Sequence, residues 1–189
     1  MVDKQAAAQA IEAFLRALGH EPEGELAGTG ERVAEAWAEE LLDGYHSDPA
    51  EILRDGSTDA GRGEHGPVIV RDLSITTVCP HHLLPAHGVA TVAYIPNRRL
   101  AGIGTIAKVV DCIAHRLALQ EHIGEAIVRV IRHELEPHAA LCILSLTHGC
   151  LVGRGERKVG STVETMAIEG EYRHRQELLT TLRAMTRRP

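Results

Sequence analysis

Apolar positions in the first third of the chain recur with helical spacing. Ile11, Phe14, Leu15 and Leu18 follow the i, i+3, i+4, i+7 rule, and Gly19 stops the pattern. Val33, Trp37 and Leu41 mark one face of a second helix, expected from Thr29 to Gly44. A short third helix is announced by Asp48 as N-cap, Pro49 at its first position and Glu51 three residues after the cap. Residues 57–66, STDAGRGEHG, are polar and Gly-rich and predict a mobile loop.

From Pro67 the pattern changes. PVIVRDLSITTV is rich in β-branched residues and predicts a strand with a bulge near Arg71 and Asp72. GVATVAYIP predicts a second strand, ended by Pro96. Two helical stripes follow, Ile106-Val109-Val110-Ile113-Ala114-Leu117 and Ile123-Ile127-Val130-Ile131-Leu135, with the break near Gln120. ALCILSLTHGC predicts a third strand, apolar on both faces and so buried. GSTVETMAIEG predicts a half-exposed fourth, and a last helix runs from about Tyr172 to Met185. Strand pairs around a helix pair point to an α+β layer: an antiparallel four-stranded sheet with two helices packed on one face, preceded by N-terminal helices. The chain accordingly divides into a helical region (residues 1–56), a loop (57–66) and a sheet-bearing domain (67–189).

Composition narrows the class. The length, 189 residues, suits one domain with a helical extension. The formal net charge of −6 argues against non-specific nucleic-acid binding, and 3% aromatics supply no stacking platform for single strands. There is no run of 18 apolar residues, and no basic-then-apolar leader at the start, so a cytoplasmic protein without a membrane partner is expected. Four cysteines do not read as a disulfide scaffold; metal binding or plain burial is the first expectation.

The strongest local chemistry is Cys79-Pro80-His81-His82, in the turn between the first two strands. A Cys and a His three positions apart on a turn can reach one ion. His148-Gly149-Cys150 closes the third strand and adds another thiol. Cys79, His82 and Cys150 together offer three ligands for zinc, leaving a fourth tetrahedral position for water, the arrangement of a catalytic site. Zinc lowers the pKa of such water to about 7. His81 and His148 flank these ligands in sequence and could move protons near neutral pH. With His148 and Cys150 both on the strand, their spacing of two puts them on one face. Cys112 and Cys142 read as packed thiols. His20, His46, His65, His115, His122, His133, His138 and His174 read as surface or loop residues. A deaminase of the Cys-x-x-Cys type is excluded, because that motif is absent.

These residues resemble the GTP cyclohydrolase I family. The resemblance runs from about Thr29 to Met185 and is carried by T-G-E-R-V-A (29–34), V-C-P-H-H-L-L-P-A-H-G (78–88), V-A-Y-I-P (92–96), the helix start at Gly102, L-Q-E (119–121) and T-H-G-C-L-V-G-R-G (147–155). It implies zinc on Cys79, His82 and Cys150, and catalytic roles for His81 and His148. It also implies a guanine-recognising carboxylate at Glu121, with Gln120 beside it. A carboxylate can accept from N1–H and the 2-amino group of guanine, a pairing adenine cannot satisfy. Arg32, Arg154 and Lys108 fall at positions that the family uses for phosphate. The implied reaction opens the imidazole ring of GTP at C8, releases formate and recloses the ring as dihydroneopterin triphosphate, a precursor of pterins and tetrahydrofolate. The implied fold is the tunnelling fold, with the sheets of five subunits joined into a barrel and two rings stacked as a decamer. Active sites then lie between subunits.

The chain departs from the family pattern in its phosphate set. Gly102-Ile103-Gly104-Thr105 stands where the family has G-L-S-K, and Lys108 replaces an arginine, keeping charge but losing bidentate binding. Pro80 replaces the Glu of C-E-H-H, and Glu164 brings an acid to the fourth strand. Two other readings therefore stand beside GTP cyclohydrolase I: a divergent homologue acting on another purine nucleotide or ring-opening or ring-closing step, and a non-catalytic zinc-containing binding module. A nitrile-reductase relative of the same fold has less support, as no NADPH-binding motif is present.

Overall fold

The computed structural model describes residues 2–186. Its centre is one antiparallel sheet of β2 (Val68–Val78), β3 (Pro85–Ile95), β5 (Ala139–His148) and β6 (Val163–Gly170), in the order β2-β3-β5-β6. The predicted bulge is present. Val70 pairs with Val92 but Leu73 with Ala90, so β2 carries one extra residue, and Asp72 takes a left-handed φ of 56° to absorb it. The bulge exchanges the faces of β2. Val68 and Val70 meet the main core before it, and Leu73 and Ile75 after it.

That core lies between the sheet and two helices, α4 (Ile103–Ala114) and α5 (Gln120–Leu135). Most of each predicted stripe is buried: Ile106, Val109, Val110, Ile113 and Ala114 on one, Ile123, Ile127, Ile131 and Leu135 on the other; Val130 is half-buried, and Leu117 falls beyond the end of α4 and is exposed. Leu53, on α3 (Pro49–Asp55), joins the same core. Asp48 caps α3 as expected, its carboxylate accepting from the Ala50 N–H at 2.9 Å. On the opposite face of the sheet, α7 (Tyr172–Thr186) covers one end, its Leu178 and Leu182 packing on Ala93, Ile95, Ala139 and Leu141. Residues 139–142 of β5 are therefore buried on both faces, as their unbroken apolarity predicts.

The close fit of β3 to β5 centres on Gly88. A Cβ there would lie 2.0 Å from the Ser145 carbonyl oxygen and 3.0 Å from the Leu146 Cα, both backbone atoms of β5. We expect Gly88→Ala to cost about 3 kcal/mol, the upper part of the overpacking range. In a thermal melt that corresponds to a fall of about 6–12 °C for a chain this size.

Three N-terminal features differ from the sequence expectation. The second helix is α2 (Thr29–Ala36) followed by a wide π turn over Trp37–Leu41 and a tight turn over Asp43–His46, not one helix to Gly44. The segment expected as a loop opens with β1 (Ser57–Asp59), paired with β4 (Arg99–Ala101); three-residue strands are too short to show a period. The predicted apolar stripe of α1 (Lys4–Ala17) is not buried. Phe14 and Leu18 are 61% and 59% exposed, because α1 packs mainly along α2.

Candidate functional site

One end of the sheet gathers the chemistry. The β2–β3 connection (residues 79–84) is closed by Cys79 N–H to Leu84 O at 3.0 Å and Leu83 N–H to Cys79 O at 2.9 Å. Leu83 holds a left-handed φ of 54°, a conformation costly for a branched residue and typical of functional loops. Ala86 pairs with His148, so the end of β5 lies beside this loop. The chain then turns into α6 (Gly149–Val152). Cys150 sits in that helical turn and not on the strand. The expectation that it shares a strand face with His148 is therefore corrected: the turn swings the thiol back toward Cys79. The Sγ atoms of Cys79 and Cys150 and a ring nitrogen of His82 all lie within 4.8 Å of one another. His82 Nδ1 is 4.0 Å from Cys79 Sγ.

The third component arrives through the α4–α5 connection. Val78 bridges to Leu117, and Thr77 Oγ1 donates to Arg116 O at 3.4 Å, which fixes the start of α5 against the end of β2. The result is a cleft of about 290 Å³ lined by Cys79, His81, Gln120, Glu121, His148 and Cys150, among others. Its size is near the lower end for small-molecule sites. His81 and Glu121 are exposed on its rim, and the Glu121 carboxylate occupies the first turn of α5, where the helix dipole favours negative charge.

Gln120 is almost completely buried, at 3% exposure, and its amide is fully used. Nε2 donates toward Leu144 O, Val163 O and Thr165 Oγ1 at 3.1, 2.9 and 3.1 Å. Two hydrogens already serve three acceptors, so Oε1 must be the atom facing His148 Nε2 at 2.7 Å. His148 Nε2–H donates to it, and the lone pair is left on Nδ1. Burial holds the His148 imidazole below its usual pKa range, with the Glu121 carboxylate pulling the other way. Gln120 is expected, with Glu121, to bind substrate; its amide is instead engaged within the protein, and a glutamine at a helix start gives no sign of this network.

Replacing Gln120 by Ala strands the Leu144 and Val163 carbonyls, at about 1–3 kcal/mol each. It also frees the imidazole. Turnover should fall roughly 10–100-fold, as for other partners that orient a working histidine. KM should stay within about twofold, since no Gln120 donor remains for a ligand; a KM rise with unchanged kcat would place Gln120 on the substrate instead. Steady-state kinetics and ¹⁵N shifts of His148 read these outcomes.

A profile of the GTP cyclohydrolase I family matches residues 7–187. The chain belongs to the GTP cyclohydrolase I family. A protein of Ralstonia nicotianae is 37% identical over 179 residues, 94% of this chain and 84% of its own. One of Dehalococcoides mccartyi is 39% identical over 175 residues, covering 91% and 90%. One of Bacillus subtilis is 35% identical over 174 residues, covering 91% and 90%. Each of the three is named GTP cyclohydrolase 1. The archaeosine synthase QueF-Like, in its apo form, overlaps 59% of this chain at 19% identity and a TM-score of 0.46, too loose to bear on fold or activity.

Two thiols and an imidazole form a donor set suited to a borderline-soft metal, so the residues of this cyclohydrolase-family chain fit a metal ion. The Cys150 thiol is pushed up by burial first and then by the Cys79 thiol beside it, the repulsion a divalent cation relieves. The other two cysteines are packed. Cys142 is fully buried and pushed up to about 12, and Cys112 donates to Ser47 O at 3.4 Å.

The basic residues stand elsewhere. Arg32 caps its own helix start, donating to Ala27 O and Thr29 Oγ1, both at 3.0 Å. Lys108 lines a separate cleft with Asp43, Asp111 and His115. Arg154 is exposed in the loop after α6, where its charge reaches Cys150. Thr105 is turned inward, its hydroxyl on Gly56 O at 3.3 Å. The Thr165 hydroxyl faces Gln120, so Glu164, its neighbour on β6, belongs to the opposite face of the sheet.

Proposed function

We propose that this chain is a GTP cyclohydrolase I, opening the imidazole ring of GTP at C8 and forming 7,8-dihydroneopterin triphosphate. The balance is one GTP and one net water giving one formate, which carries C8 away, and one product that retains all three phosphates. A single observation carries this reading: the Cys79–His82–Cys150 metal set has both its cysteines in the lining of the cleft that holds His81, His148 and Glu121.

Zinc on Cys79, His82 and Cys150 supplies a Lewis acid and activates water at neutral pH. The remaining chemistry belongs to side chains. The Glu121 carboxylate accepts from guanine N1–H and the 2-amino group, which fixes the base in the cleft and selects against adenine. His148, held as the Nε2–H tautomer, offers Nδ1 to take a proton and return it during ring opening. His81, on the rim, is placed to serve the leaving fragment. Arg154, Arg32 and Lys108 are proposed for the polyphosphate. Arg32 and Lys108 stand away from the cleft of one chain, which favours sites completed by neighbouring subunits. The outer strands β2 and β6 carry no further strand among the described residues, as sheets joined into a pentameric barrel and a stacked decamer would require. None of the described helices is long and apolar enough to cross a membrane, and four free cysteines suit a reducing cytoplasm.

The test is to supply zinc-loaded protein with GTP, GDP, GMP and guanosine, and to measure formate together with the fluorescent pterin formed on oxidation. Equimolar formate and pterin from GTP is the expected result. Turnover only of a less phosphorylated nucleotide would transfer the reading to a divergent homologue. Zinc binding with no formate from any of them would overturn it in favour of a binding module.

A further inference from the structure

The other end of the sheet carries a second cluster of metal-binding side chains. His138 precedes β5, Glu171 follows β6, and His174 lies one turn further on, in the start of α7. One donor atom from each lies within 4.8 Å of the other two. This cluster is the length of β5 away from His148, roughly 30 Å for ten strand residues. It is therefore separate from the cyclohydrolase cleft.

The backbone builds this arrangement. Ala139 pairs with Gly170, so His138 and Glu171 extend the same rung pattern, and Glu171 N–H donates to His138 O at 3.2 Å. Gly170 takes a φ of +124°, and a Cβ there would stand 2.4 Å from His138 O, so the two segments meet at a distance only glycine permits. Glu171 and His174 are three residues apart at a helix start and share one side.

The side chains are placed but incompletely satisfied. Although sequence reading put both histidines on the surface, their rings stack at 4.6 Å and the His174 side chain is only 17% exposed. His174 Nδ1 is buried without a hydrogen-bond partner, and its contact with Glu171 Oε2 is 3.3 Å. Glu171 is 73% exposed and free to swing. Of the neighbouring positive groups, the Arg132 guanidinium donates to Pro137 O, and the Arg175 guanidinium lies 5.9 Å from the centre of the Tyr172 ring, its Nε buried without a hydrogen-bond partner.

We propose that His138, Glu171 and His174 form a second cation site, for a borderline divalent metal of the zinc, cobalt or nickel class. Two imidazoles and a carboxylate are a donor set for these ions, not for calcium or magnesium. Bonds of about 2.0–2.1 Å put tetrahedral donors roughly 3.4 Å apart. The cluster reaches that spacing by rotation of the exposed carboxylate and a small closing of the rings. A metal there ties the start of α7 to the sheet and holds Leu178 and Leu182 on their apolar face.

Cobalt titration of the full chain separates the two sites. Thiolate-bound cobalt gives an intense charge-transfer absorption, which a nitrogen and oxygen site lacks. The wild type is expected to take up two equivalents per chain, only one with the charge-transfer band. His174→Ala and, independently, His138→Gln should each take up one equivalent with that band intact. They should also lose the thermal protection given by the second equivalent. A wild type that saturates at one equivalent carrying the charge-transfer band overturns the proposal whatever the variants do. So does an unchanged stoichiometry of two in both variants. Loss of the charge-transfer band alone would strike the Cys79–His82–Cys150 reading and leave this one standing.

Discussion

Cys150→Ser is expected to remove one equivalent of zinc per chain and to lower formate release from GTP by at least about 10³-fold. A metal ion supplies several kcal/mol to the developing charge and sets the pKa of its water, and each 1.36 kcal/mol is tenfold in rate. Serine keeps the size of the side chain but has no thiolate to offer at neutral pH. The geometry leaves no nearby replacement: Cys112 and Cys142 are buried, the former bonded to the turn at Ser47 and the latter inside the sheet core. Folding should survive, because Cys150 is only partly buried in a four-residue turn. Metal content by elemental analysis and formate by enzymatic assay read the two effects. Full activity with zinc absent would contradict the assignment.

His148→Ala is expected to lower kcat by roughly 10²–10⁴-fold, the range for loss of a general acid–base group. Zinc content should be unchanged, since His148 is outside the ligand set. The Gln120 oxygen is left facing a void, so a stability loss of about 1–3 kcal/mol accompanies it. That stability term must be separated from the chemistry. Measuring kcat well below the melting transition does so, and His148→Gln, which can still meet Gln120, should recover stability but not turnover. Activity within threefold of wild type in His148→Ala would remove His148 from the reaction.

The fold was legible wherever one period ruled an element. The β2 bulge shows in sequence because Arg71-Asp72 interrupts a β-branched run, and the α3 start because Asp48-Pro49 is a capping signal. β1 and β4 are three residues each and exist only through their pairing. The exposed stripe of α1 reads as core because periodicity reports amphipathicity and not what covers it. At the site, the three proposed ligands were legible from their residue types, but the local geometry of Cys150 was not, since a strand and the turn after it share one run of residues. The Gln120 network and the His138–His174 stack join residues far apart in the chain, from 24 positions for Gln120–Leu144 to 45 for Gln120–Thr165, and no local pattern encodes such contacts.

Zinc K-edge absorption tests the account most directly, applied to the His174→Ala protein carrying one equivalent of zinc so that only the cleft site is read. Two sulfurs near 2.3 Å and two lighter atoms near 2.0–2.1 Å, one from His82 and one from solvent, are expected. A shell of four protein donors with no exchangeable position, or one without sulfur, would contradict it.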